Sequence, residues 1–169
     1  MDANRIFFIT TITAQRRPIF RRERAANLLL ETLADCRDEG KYLLHEFVIM
    51  PDYVHALITP AVSLEKALQL IRGGFSCRLK ARAQVWQATT RNHRVRDLED
   101  YGRHREYIRL NPVWAQLADS AEAYPYASAA GRLRLDPVPE GLMPRAFEMS
   151  ATSRSHAIPQ APPAPLPAA

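Results

Sequence analysis

The order of elements in this sequence predicts an α+β fold, ferredoxin-like in arrangement, with a mainly antiparallel sheet and helices packed on one face. Three observations carry that reading. The opening "RIFFITTIT" is aromatic and β-branched, as a strand requires. Two stretches with helical apolar spacing follow strand-like runs rather than clustering together. Between them, "LLHEFVIMPDYVHALITP" holds two apolar runs joined by a short turn at Met50 to Tyr53, the pattern of an antiparallel hairpin.

Taken in order, Arg5 to Thr13 reads as the first strand and "AQRRPI" as a polar loop. From about Arg21 to Asp38, Ala25, Leu28, Leu29, Leu33 and Cys36 keep helical spacing, and Gly40 stands where a helix would stop. The hairpin comes next, with Tyr53 and His55 two apart at the mouth of its second strand and so on one side of it. Ser63 can cap a second helix that has Glu65 in its first turn and Leu64, Ala67, Leu68, Ile71 and Phe75 on one face. Gly73-Gly74 is expected to bend or interrupt this helix.

A strand lies somewhere within Val85 to Asp97, and Asp97 with Asp100 opens a third helix, "LEDYGRHREYIRL". Asn111-Pro112 is expected to break or restart it, with a short helix through Leu117. Beyond about Ser128 periodicity is lost. Residues 1–130 are therefore expected to form the folded domain and 131–169 an irregular tail, whose proline- and alanine-rich end reads as disordered or polyproline-like.

Composition narrows the function. A chain of 169 residues, 47% hydrophobic and 24% charged, suits one domain with its own core. No apolar run approaches the roughly 20 residues of a membrane span, and "MDANRIFFITTIT" has no long apolar segment of the signal-peptide kind, so the expected location is the cytoplasm. Cys36 and Cys77 lack metal-type spacing and read as reduced structural thiols. The net charge of +5 favours an acidic partner, nucleic acid above all. Of 23 basic residues 20 are arginine, whose fork suits phosphate, although GC-rich coding also enriches arginine without any binding role.

The chemistry-bearing residues lie in two places. Tyr107 and Asn111 are four apart, so they share a helix face if that turn stays helical. His55 offers an imidazole nitrogen and Asn111 a hard carbonyl oxygen, a pair that could hold a metal beside a phenol. His45, His93 and His104 have no ligand spacing and read as core or surface residues.

The segments "HEFVIMPDYVHALITP", "GGFSCRLK", "VWQATTRNHRVRDLEDY" and "YIRLNPVWAQLADSAEAYPYASA" resemble the REP-associated tyrosine transposases, a branch of the single-tyrosine HUH-type transposases. The resemblance runs from about Phe7 to Ala129. It implies a metal-dependent single-stranded DNA endonuclease and strand transferase that cuts near hairpins. Tyr107 would be the nucleophile, leaving a 5′-phosphotyrosine bond and a free 3′-hydroxyl. His55 and Asn111 would hold Mg²⁺ or Mn²⁺. Read from charge alone, Arg103, Arg105 and Arg109 on the third helix are expected to include both solvated and DNA-phosphate-contacting members, and the oligomeric state, monomer or homodimer, stays open.

The family pattern places a first metal histidine where this chain has Tyr53. A phenol bound as phenolate near pH 7 costs about 4 kcal/mol, from its usual pKa near 10. A metal site with fewer protein ligands, one that needs more ion, and a domesticated hairpin-binding protein that no longer cuts all remain open. A small adaptor for protein or RNA is the more general alternative.

Overall fold

β-Branched and aromatic residues put Phe7–Ile12 into β1, and the chain continues through α1 (Glu23–Asp38), β2 (Tyr42–Ile49), β3 (Tyr53–Pro60), α2 (Leu64–Arg78), β4 (Arg91–Arg94) and α3 (Leu98–Trp114). This computed structural model describes residues 5–139 and 142. The four strands form one sheet of order β2-β3-β1-β4, antiparallel at every pairing. Since β1 and β2 both run antiparallel to the β3 between them, α1 and α2 are the two crossovers of a split βαβ arrangement. The α+β, ferredoxin-like class predicted from the sequence is the one observed.

The layering needs one correction. Helices α1 and α2 pack on the face that presents Ile9, Phe47, Val54, Ala56 and Ile58, as expected. Helix α3 lies on the opposite face, against Phe8, Val48 and Leu57, through Tyr101 and Ile108. Helices therefore cover both faces. The physical reason is alternation: β2 and β3 are buried along nearly their whole length, so apolar side chains point both ways and both faces require cover.

Two expected interruptions are absent. α2 runs unbroken through Gly73-Gly74. A Cβ on Gly74 would lie 3.2 Å from Cγ2 of Thr32 on α1, so this glycine permits close helix packing rather than a bend. α3 likewise continues through Pro112 to Trp114. Pro112 sits in the last turn, where its missing N–H forfeits one helical bond, and the helix still closes with Ala115 N–H donating to Asn111 O at 3.1 Å. Asn111 consequently keeps helical phase with Tyr107.

Other boundaries agree with the reading. Ser63 and Asp97 cap α2 and α3 through their side chains. Gly40, at φ +70°, ends α1 in the left-handed conformation, with Lys41 N–H donating to Cys36 O at 2.9 Å.

A buried carboxylate fixes the seating of α3. Arg105 Nε donates to Glu46 Oε1 at 2.8 Å, and the Ser128 hydroxyl donates to Glu46 Oε2. After α3 the chain returns along β2: Ile49 N–H donates to Tyr126 O at 2.8 Å, and Asp136 N–H to Leu44 O at 2.7 Å. Asp136 also receives Arg37 through two bonds of 2.8 and 2.6 Å and the Leu44 N–H at 2.9 Å. Residues 131–139 thus contain neither helix nor strand, yet Leu133 and Leu135 pack on the core. The proline- and alanine-rich end lies outside the described residues.

Asp136→Ala should cost about 3 kcal/mol of stability, because it strands the half-enclosed Arg37 and the Leu44 N–H together. Urea denaturation at pH 7 measures this, and a loss under about 0.5 kcal/mol would show that residues 131–139 are not part of the cooperative unit.

Candidate active site

Helical spacing puts Asp100, His104, Tyr107, Asn111 and Trp114 on one stripe of α3, and strand pairing puts a matching set on the sheet beneath. Thr10 pairs with His55, and Phe8 with both Leu57 and His93, so Phe8, Thr10, Tyr53, His55 and His93 share the α3-facing side. The result is a band of rings across the middle of the sheet.

His55 sits at its centre. Its ring lies 4.9 Å from Tyr53, 5.1 Å from Phe8 and 5.3 Å from Tyr107, centroid to centroid. Nδ1 shares a 2.8 Å hydrogen bond with the Thr10 hydroxyl. Burial, helped by nearby His104, holds the imidazole neutral down to about pH 3.

Tyr107 packs against His55 on one side and Trp114, 5.8 Å away, on the other. It is half-buried, and its hydroxyl makes no hydrogen bond among the described residues. The Tyr53 hydroxyl donates a 2.6 Å bond to Asn111 Oδ1. Burial, and after it the neighbouring Tyr107 and Asp52, push the Tyr53 phenol well above its ordinary range, so it stays a neutral donor.

The structure therefore brings Tyr53, His55, Tyr107 and Asn111 into one cluster. It does not bring the three arginines into it. Arg103 reaches Glu99 and Asp100 at 3.4 Å, Arg105 is bound to buried Glu46, and Arg109 reaches Glu122 at 3.3 Å. Each already has an acidic partner within the chain.

One further group is brought together only by the fold. His93, Asp100 and His104 each offer a ligand-type atom, all within 4.8 Å of one another. His93 Nε2 lies 2.8 Å from Asp100 Oδ2, and His104 Nδ1 lies 3.2 Å from Oδ1. Burial raises the Asp100 pKa, but the bonds from His93 and the Arg96 N–H, with the charge of His104 and the bond from Arg103, outweigh it and bring the group to about 2. The i, i+4 spacing of Asp100 and His104 was a legible signal; the arrival of His93 from β4 was not.

The α+β fold is one that a solved structure shares. The chain resembles a REP-associated tyrosine transposase solved bound to a REP hairpin, with TM-score 0.68 and 19% identity over 94% of both chains. A candidate transposase from Deinococcus radiodurans R1 matches at TM-score 0.47 and 19% identity, covering 61% of this chain and 87% of that one. No curated protein matches. The family model described as transposase IS200-like matches residues 4–95, and the chain belongs to that family. The resemblance drawn from the motifs is thereby confirmed at the level of the IS200-like transposases.

Because the folded His55 stays neutral to about pH 3 while a free imidazole titrates near ~6.5, stability is fully present above the free value and falls as pH drops through this window. Buried His45 acts in the same direction. In His55→Gln the pH dependence of the urea midpoint between pH 7 and 4 should be shallower than in the wild type; an identical slope would contradict the assignment.

Proposed function

We propose that this transposase-family chain is a single-stranded DNA endonuclease and strand transferase in which Tyr107 is the nucleophile, acting beside hairpins. The observation that carries the reading is the packing of a partly accessible Tyr107 against a buried, neutral His55, with Asn111 one helical turn away. In this mechanism Tyr107 Oη bonds to the phosphorus and the P–O3′ bond breaks. The phenol proton passes to solvent, since burial leaves the neighbouring His55 too weak a base to take it, and the departing 3′ oxygen takes up a proton. The phosphotyrosine conserves the bond energy, so a DNA hydroxyl can later reseal the strand.

The family's divalent ion requires a separate test. Mg²⁺ or Mn²⁺ at the expected place would need donors from positions 53, 55 and 111. Here position 53 is a phenol held neutral, and its hydrogen occupies the amide oxygen that the ion would use. The donor set does not fit a histidine-histidine-amide site, and no step is assigned to an ion there.

The same hydrogen bond favours a second reading, a domesticated protein that binds hairpin DNA and no longer cuts it. DNA is the proposed partner in both, supported by the positive charge and by the relative solved with a REP hairpin. Among the described residues no helix is long and apolar enough to cross a membrane.

End-labelled single-stranded hairpin oligonucleotides distinguish the two. Tyr107→Phe should lower cleavage by about 10³-fold or more, with hairpin affinity changed by less than about 3-fold. Cleavage equal to wild type would reject Tyr107; salt-dependent binding without cleavage by either protein would establish the second reading. Tyr53→His removes the hydrogen bond that blocks Asn111 and supplies an imidazole, so it should confer Mn²⁺-stimulated cleavage above the wild-type level.

A further inference from the structure

Two histidines converge on one carboxylate at the junction of β4 and α3, outside the Tyr53, His55 and Asn111 cluster. We infer that His93, Asp100 and His104 form a binding site for a divalent transition-metal ion, of the Mn²⁺, Co²⁺ or Zn²⁺ kind. The inference stands whether or not Tyr107 cuts DNA.

The donor geometry supports it. Ligands about 2.1 Å from one ion and roughly 90–109° apart lie about 3.0–3.4 Å from each other. Asp100 Oδ2 stands 2.8 Å from His93 Nε2 and Oδ1 3.2 Å from His104 Nδ1, all within 4.8 Å, so an ion can enter between them once His104 Nδ1 gives up its 2.8 Å hydrogen bond with the Asp100 carbonyl. His93 is 39% exposed and on an edge strand, which gives an ion a path from solvent. Asp100 is buried and steadied by the Arg96 N–H at 3.1 Å, the kind of outer partner that orients a ligating carboxylate.

A helix cap alone does not account for the arrangement. It explains why Asp97 accepts from the Asp100 N–H and why Asp100 reaches back to Arg96. It gives no reason for His93, carried in from β4, to stack on His104 with centroids 4.9 Å apart and planes 22° from parallel. Two imidazoles and one carboxylate form a nitrogen-rich set that suits transition ions better than Mg²⁺, which prefers oxygen. The natural competitor is Arg103, whose guanidinium contacts Asp100 Oδ1 at a long 3.4 Å from a largely exposed position. Binding an ion displaces it.

The test is a Co²⁺ titration of chelator-treated full-length protein at pH 7.5, followed by visible absorption, with folding of each variant confirmed by circular dichroism. The expected result is one ion per chain with d–d bands of a low-coordinate site. Affinity should fall by at least about 10-fold in His93→Gln and in His104→Gln, and be unchanged in His55→Gln. Arg103→Ala should tighten binding several-fold, since it removes a competing cation. Absence of bands at millimolar Co²⁺, binding abolished by His55→Gln but untouched by His93→Gln, or weaker binding in Arg103→Ala would each overturn the proposal.

Discussion

A sheet whose two crossover helices lie on one side leaves its other side bare, and the need to bury that second face organises this protein. Phe8, Val48 and Leu57 point away from α1 and α2, and α3 is the element that removes them from water. Burial alone would let the helix rotate or slide on an apolar surface. The buried Glu46, held by Arg105 from α3 and Ser128 from the returning chain, fixes its rotation. Once that rotation is set, Asp100, His104, Tyr107 and Asn111 have only one place to point, the band of rings across β4, β1 and β3.

Much of this was legible in the sequence because it depends on local rules. The hairpin, the Ser63 and Asp97 caps and the sharing of a face by Tyr53 and His55 follow from turn chemistry and strand alternation. What misled were residues whose propensity tertiary packing overrode. Gly74 looks like a helix breaker until Thr32 is seen against it, and Pro112 looks like a terminator until its place in the last turn shows that little is lost. The side of the sheet that α3 covers could not be read either, since burial on both faces of β2 and β3 appears only as a long apolar run.

The site shows the same division. Tyr107 and Asn111 share a helix face in either description, but their relation to Tyr53 required the fold. The 2.6 Å bond from Tyr53 to Asn111 is a contact across 58 residues, and it changes what the amide can do. Arg103, Arg105 and Arg109 show what spacing leaves out, for each is tied to an acid of the chain and Arg105 holds α3 in place. Charge counted along a helix does not reveal which guanidinium groups are already committed. The His93, Asp100 and His104 group stayed hidden because half of its signal lies in the β4 to β1 register.

The proposed mechanism requires Tyr107, packed on a neutral His55, to become covalently linked to DNA. Its most direct test is mass spectrometry of the intact protein and its peptides after incubation with a pool of single-stranded hairpin oligonucleotides, with and without Mn²⁺. A nucleotide adduct is expected on the peptide containing Tyr107, and none in Tyr107→Phe. Hairpin binding with no adduct in either condition, or an adduct on a different residue, would contradict it.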